Sequence, residues 1–275
     1  MQLPATYDLT GRVAVVTGAG SETGIGFASA TLLGQLGARL MLGATSDRVH
    51  ERVAELRADG LEAAAVVGDL TELQAAHALV AAATNRYGRL DILVNNAGMV
   101  STTEPDYEDG TAEQLSVDNW HASLRRNLDT AFLASRAALP LMHAAGWGRI
   151  VMVASVTGPA MAMRGDVAYA ASKAGMVGLA RALAIDSAAH GITVNAVAPG
   201  WIETSSQLGH ERRQGLSTPI GRSATPGEVA SAIGWLASPG ASYITGQCLV
   251  VDGGNSIAEE RALPEPGSRV GGRAD

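Results

Sequence analysis

Apolar β-like runs alternate with helical patterns along almost the whole chain, and this alternation limits the available folds more than any other feature. The apolar runs fall at Val13–Thr17, Leu40–Leu42, Ala63–Val67, Ile92–Val94, Ile150–Val153, Thr193–Val197 and Leu249–Val251. Helical spacing fills the intervals at Ile25–Leu36, Arg48–Ala58, Leu73–Arg86, Trp120–Met142, Ala168–Ala188 and Glu228–Ala237. Strands that are apolar at every residue, rather than at every second one, are strands covered on both faces. Parallel strands joined by helices meet that demand. Right-handed crossovers then wind them into an α/β doubly wound, Rossmann-type sheet of about seven strands.

No internal repeat and no linker divides the 275 residues. We therefore expect one domain over residues 1–254 and an irregular tail over 255–275, where Pro264–Asp275 has almost nothing apolar to bury. Two segments lack periodicity. Met99–Asp118 is acidic, with Glu104, Asp106, Glu108, Asp109 and Glu113, and Trp201–Thr225 is rich in Gly, Ser and Thr. Both follow strand C-termini, where open α/β sheets bind their ligands, so both are expected to shape a substrate pocket. The net charge of −7, without clustered Lys and Arg, argues against a nucleic-acid face. A lone cysteine, Cys248, cannot form an internal disulfide and is expected as a buried thiol. With no run of 18 apolar residues and no signal-like Met1–Arg12, the expectation is a cytoplasmic chain without a membrane span.

Among 20 Lys and Arg residues, Lys173 is the single lysine. A bias towards Arg explains the missing lysines but not the one retained. An ammonium is a compact charge whose pKa can be tuned, which a guanidinium is not. Tyr169 lies four residues earlier in a helical pattern, so the two share a helix face. A free phenol titrates near pH 10, too high for efficient proton transfer at neutrality, and a neighbouring ammonium lowers it. Ser155 follows the run ending at Ala154 and can meet Tyr169 at the sheet's C-terminal edge, where its hydroxyl can hold a carbonyl oxygen. Asn127 sits inside the predicted fourth helix, where Asn is a poor helix former that needs a reason.

Thr17-Gly18-Ala19-Gly20-Ser21-Glu22-Thr23-Gly24-Ile25-Gly26 joins the first strand to the first helix, the place of a dinucleotide-binding turn. Glycines let a backbone approach a pyrophosphate, and a helix N-terminus offers N–H groups and the positive end of its dipole. Asp69, at the end of the third strand beside Leu70, is placed to accept a hydrogen bond from an adenine amino group. Asn95-Asn96-Ala97-Gly98 ends the fourth strand with small residues past which a cofactor can run. Read singly, each of these is equally a capping or turn residue.

Taken together, Asn95-Asn96-Ala97-Gly98, Ser155, Tyr169-Ala-Ala-Ser-Lys173, Asn195 and Pro199-Gly200 resemble the short-chain dehydrogenase/reductase family in order and spacing, over about Thr10 to Gly254. Ile202-Glu203-Thr204 and Tyr243-Ile244-Thr245-Gly246 look closest to its β-ketoacyl-carrier-protein reductase branch. The resemblance implies an NAD(P)-dependent oxidoreductase moving hydride between nicotinamide and a ketone/secondary alcohol. It implies Tyr169 as general acid/base, Lys173 lowering the pKa of that phenol and binding the ribose, Ser155 orienting the carbonyl, and Asn127 holding a relay water. Cofactor contacts are implied at Gly18, Ser21, Gly24, Ile25 and Gly26, at Asp69 and Leu70, and at Asn96, Ala97 and Gly98. Further contacts are implied at Tyr169, Lys173, Pro199, Gly200, Ile202 and Thr204. No metal is implied. A homo-oligomer is, a tetramer or dimer built through the Trp120–Met142 and Ala168–Ala188 helices and the last strand.

The sequence departs from the family pattern in three places. Five residues, not three, separate Gly18 from Gly24. Ala44 stands at the end of the second strand where NAD users carry an acid for the ribose hydroxyls. Thr45, Ser46 and Arg48 follow it and can hold a 2′-phosphate, so NADP(H) is favoured over NAD(H), with Asp47 and Glu22 as counter-signals. The Met99–Asp118 insert is longer than usual. If its five acids face the pocket, they favour a neutral or cationic small ketone over an anionic carrier. The same fold also hosts nicotinamide-assisted isomerisation or elimination, and silent cofactor-binding modules.

Overall fold

The computed structural model describes residues 3–98 and 110–259. Its elements alternate strictly through the first half. They run β1 (Val13–Thr17), α1 (Ile25–Gln35), β2 (Arg39–Ala44), α2 (Arg48–Ala58), β3 (Ala63–Val67), α3 (Leu73–Tyr87) and β4 (Ile92–Asn95). The second half adds α4 (Val117–Leu124), a π-helical turn (Arg125–Asp129), α5 (Thr130–Ala145), β5 (Gly148–Val153), α6 (Val167–Ser187) and β6 (Ile192–Pro199). It ends with α7 (Gly209–Leu216), α8 (Pro226–Ala237) and β7 (Cys248–Val251). All seven strands are parallel in one sheet of order β3-β2-β1-β4-β5-β6-β7.

Every residue of β1, β4, β5 and β6 is buried, as continuous apolar runs require. One face carries α1, α2 and α8, with Leu33, Val53 and Ile233 packed on Val16, Leu42 and Val94. The other carries α3, α5 and α6, with Leu79, Ala134 and Met176 packed on Val15, Leu93 and Met152. The order reverses between β1 and β4. Helices therefore leave these neighbours towards opposite faces, and a crevice opens beyond their C-terminal ends.

Three sequence expectations are corrected. The helix expected over Trp120–Met142 is α4 and α5 joined by the π turn, which contains Asn127. Trp201–Thr225 is not wholly irregular, because α7 lies within it, its first turn closed by the Glu211 carboxylate accepting the Leu208 N–H at 2.6 Å. Asp69 lies two residues past the end of β3, not in it, and accepts the N–H and hydroxyl of Thr71 at 2.9 and 2.8 Å. Of the insert, residues 99–109 lie outside the described residues. Its end does not: Gly110 donates to the Gly165 carbonyl at 2.8 Å, against the loop before α6. Of the tail, only residues 255–259 are described, in a turn. No described helix is long and apolar enough to cross a membrane.

The opposite, N-terminal rim of the sheet is held by a buried carboxylate. Asp91 is fully buried just before β4 and accepts the Val13 N–H at 2.9 Å, Arg12 Nη1 at 2.9 Å, and Arg89 through Nε at 2.7 Å and Nη2 at 2.5 Å. The guanidinium groups of Arg12 and Arg149 both lie over the Trp147 ring, 3.8 and 4.4 Å from its centroid. Burial, and then the charge of Arg12, push the Arg149 pKa down to about 10. Asp91→Ala strips a buried N–H and two arginines of their partner, and should cost about 3–5 kcal/mol in urea denaturation. Cofactor affinity should be unchanged, since the crevice lies at the other end of the strands. A loss below about 1 kcal/mol would mean that the cluster does not hold this rim.

Candidate active site

The crevice is organised by Thr17, the last residue of β1. Its Oγ1 donates to the Val94 carbonyl at 3.2 Å and accepts the N–H groups of Asn96 at 3.0 Å and Ala97 at 2.9 Å. Asn96 returns the link, its side-chain amide donating to the carbonyls of Thr17 at 3.1 Å and Gly18 at 3.0 Å. The Asn96 side chain is thus occupied in tying β4 to the glycine turn, and Asn95 is buried with its amide on Ser135 Oγ at 2.9 Å. Sequence reading gave Asn96 to the cofactor and missed Thr17, since a threonine ending a strand carries no signal of its own.

Gly18 has φ +67°, and a Cβ there would lie 2.9 Å from the Ala97 backbone. A Cβ on Gly26 would lie 2.6 Å from both Asn96 Nδ2 and the Gly18 carbonyl. The turn therefore needs these glycines to pack at all. Gly24 starts α1 with no side-chain cap and no acid follows in the first turn, so the helix offers its N–H groups to the crevice. Gly20 packs against the methyl group of Ala44 at the end of β2. Beyond it, Thr45 is exposed and Arg48 Nε donates to Ser46 Oγ at 3.3 Å. Asp47, on the same turn, is in solvent, 3.9 Å from His50. Asp69 and Leu70 flank the far side of this edge, Leu70 inside the core.

A cavity of about 320 Å³ opens beside this cradle and meets it at Ile25. It touches Ile25, Asn96, Gly98, Ser155, Tyr169 and Lys173. Pro199, Gly200, Ile202 and Thr204 line it from the segment after β6. Met163, Arg164, Trp201 and His210 line it too, and sequence reading did not single them out.

Lys173 is 2% exposed, with Nζ donating to the Val153 carbonyl at 3.0 Å and lying 5.5 Å from the centre of the Tyr169 ring. Burial pushes its pKa down to about 8. The Ser155 hydroxyl accepts the Thr157 N–H at 3.1 Å, which occupies one lone pair and leaves its proton available to a ligand in the cavity. Asn127 is 2% exposed in the π turn, and its amide donates to the Ser123 carbonyl at 3.1 Å. Thr130 Oγ1 takes the Arg126 carbonyl at 2.8 Å in the same way. Two side chains thus claim carbonyls that residues 127 and 130 would bond through their N–H groups in an α-helix, which accounts for the wider turn. Asn127 Oδ1 faces Gly98, buried and without a hydrogen-bond partner among the described residues. A buried acceptor so placed suits a donor carried in by a ligand or water. Uncapped helix, glycine cradle, cavity and free acceptor together fit a nicotinamide dinucleotide. No cluster able to hold a metal occurs among the described residues.

Comparison with known proteins gives a consistent result. Residues 18–256 match the family model described as enoyl-(acyl carrier protein) reductase. The chain is 40% identical over 251 residues to the 3-oxoacyl-[acyl-carrier-protein] reductase FabG of Pseudomonas aeruginosa, covering 90% of this chain and 98% of that one. It is 40% identical over 247 residues to the cis-4-hydroxycyclohexanecarboxylate dehydrogenase of Sinomonas cyclohexanicum, covering 88% and 96%. Among solved structures, a variant of the actinorhodin polyketide ketoreductase with NADPH superposes with a TM-score of 0.81 at 37% identity, covering 90% and 98%.

The buried ammonium has a measurable signature. Folding lowers the Lys173 pKa from 10.5 to about 8, so between these values the unfolded chain holds a proton that the folded chain lacks. The burial penalty is therefore fully present below pH 8 and is relieved as pH rises towards 10.5. Wild type should gain stability relative to Lys173→Met between pH 7 and 9.5, by about 1–2 kcal/mol over that partial range. Urea denaturation at both pH values reads this, and a constant difference would place the pKa elsewhere.

Proposed function

Because the chain belongs to the short-chain dehydrogenase/reductase family, whose members are NAD(P)-dependent oxidoreductases, we propose that it interconverts a ketone and a secondary alcohol with NADP(H) preferred. The observation that carries this reading is that Ser155, Tyr169 and Lys173 share one cavity with Ile25 at the start of α1 and with Asn96 and Gly98 after β4. A nicotinamide held there would supply or accept the hydride. The chain's own residues do the rest. Ser155 donates its free proton to the carbonyl oxygen and holds it beside Tyr169. Tyr169 delivers a proton to that oxygen in reduction and removes it in oxidation. The ammonium of Lys173, fixed by the Val153 carbonyl, favours the phenolate and binds the ribose. Asn127 Oδ1 holds the water through which the proton is replaced. A silent module would have no use for this complete set.

The cofactor preference rests on Ala44, Thr45, Ser46 and Arg48. Ala44 leaves no acid for ribose hydroxyls, while Ser46 and Arg48 lean together at the edge where a 2′-phosphate would lie. The relatives named above act on an oxoacyl carrier, a polyketide and a hydroxycyclohexanecarboxylate. Around Tyr169 the apolar walls from Val153, Val156, Trp201 and Leu208 suit the hydrocarbon body of a small ketone, which we take as the substrate class. We also propose self-association through α4, α5, α6 and β7. Val117 (70%), Phe132 (43%) and Ile185 (81%) are exposed on these helices, as are Leu249 (37%) and Val250 (39%) on the edge strand.

A spectrophotometric screen of ketones and alcohols with NADPH and NADH in parallel tests the activity. Turnover with at least one pair is expected, and cofactor binding without nucleotide consumption across the panel would refute it. Tyr169→Phe should lower kcat by at least about 100-fold while leaving cofactor affinity intact, and unchanged activity would remove Tyr169 from its role. Arg48→Ala should reduce the NADPH-over-NADH preference in kcat/KM about tenfold, and an unaltered ratio would place the 2′-phosphate elsewhere.

A further inference from the structure

The glycine turn is two residues longer than the family spacing, and the proton chemistry makes no use of Glu22 or Thr23. The turn is closed behind them by the Gly24 N–H on the Ser21 carbonyl at 3.2 Å, so Glu22 and Thr23 form an exposed tip. That tip reaches across the crevice. Thr23 Oγ1 accepts the backbone N–H of Ser205 at 2.8 Å, 182 residues away in sequence. Ser21 Oγ and Ser205 Oγ lie 3.4 Å apart beside it. The two banks joined here are the two that matter. One leads directly into Ile25, and the other supplies Ile202, Thr204 and Leu208 to the same cavity.

The 201–208 segment is anchored to the 223–224 stretch at both ends, and its middle meets the rest of the protein at Ser205. Glu203 N donates to the Ala224 carbonyl at 2.8 Å, and Gln207 Nε2 donates to Ser223 Oγ at 2.9 Å. Between them, Thr204 Oγ1 and Ser206 Oγ pair at 2.9 Å, curling the chain so that the Ser205 N–H points outward to Thr23.

We propose that Thr23 is a positioning residue, a latch that holds the 201–208 segment across the crevice and slows the departure of the nicotinamide cofactor. This rests on the reading of the crevice as a nicotinamide site. A ligand lying between the start of α1 and Tyr169 leaves by parting the two banks, and the Thr23–Ser205 bond must open first. One neutral hydrogen bond at the surface makes the latch a modest brake, worth about three- to tenfold in rate.

Thr23→Val keeps the shape and removes the acceptor, and Thr23→Ser keeps the acceptor. NADPH dissociation is followed by stopped-flow fluorescence. Amide hydrogen exchange over residues 201–208 is followed in the cofactor-free protein. In Thr23→Val, NADPH should leave about three- to tenfold faster and exchange over 201–208 should accelerate, with Thr23→Ser close to wild type in both. Unchanged dissociation in Thr23→Val overturns the proposal, whether or not exchange accelerates. Equal effects of Val and Ser overturn it as well, since the acceptor would then be irrelevant. A wild type that binds neither NADPH nor NADH overturns the nicotinamide reading and the latch with it. Exchange without cofactor identifies that case, because the Thr23–Ser205 contact would still protect the segment.

Discussion

One hydroxyl, on Thr17, sits where the strand order of the sheet reverses. Three hydrogen bonds to Val94, Asn96 and Ala97 hold the ends of β1 and β4 together just as their chains diverge to opposite faces. Everything at the crevice is referred to this point. The glycine turn leaves from it, Asn96 ties back to it, and Gly98 carries the chain past Asn127. The bonds satisfy the donor and both lone pairs of the hydroxyl, a set that a small side chain offers only through an aliphatic hydroxyl. An open parallel sheet needs such a fastening because its ladder ends here, and backbone groups beyond the last pair must find partners elsewhere.

The proposed catalytic group is assembled at a cost in stability that the fold accepts. Lys173 is charged at neutral pH in a place where burial opposes charge, with its ammonium donating to a strand carbonyl. Asn127 keeps a buried acceptor unfilled within the described protein. Both are expensive in a core that is otherwise apolar and closely packed. Their cost is offset by the two continuous hydrophobic layers on either side of the sheet. A bound ligand that meets these groups would recover part of it.

The architecture was legible because a parallel sheet covered on both faces demands apolar strands at fixed intervals, and those intervals are plain from Val13 to Val251. Tyr169 and Lys173 were legible for a different reason: helical spacing and a single lysine. Ser155 was placed near Tyr169 by its position after the β5 run, whereas spacing alone left Asn127 as an odd helix residue. α7 was hidden because Gly209–Leu216 is polar and shows no apolar stripe. The clamp at Thr17 was hidden because its meaning lies in β4, 77 residues away. The π turn was hidden because it depends on a count of residues, not on their kind. Asp69 shows the opposite failure: its role in the Thr71 turn is local, and the sequence pattern overreached in extending β3 to it.

That residue count has an evolutionary consequence. A π turn holds one residue more than the α-helix it interrupts, so it turns everything after it by about 100° about the helix axis. α4 presents its buried Ser123 on one side of this step, and α5 presents Ala131, Ala134 and Ala138 to the sheet on the other. Deleting one residue between Arg125 and Asp129 would restore a regular helix and swing the α5 alanines out of the core. The frame that holds Asn127 is therefore also the frame that keeps α5 in phase with the sheet. An insertion or deletion in this stretch therefore disturbs the core as well as the site.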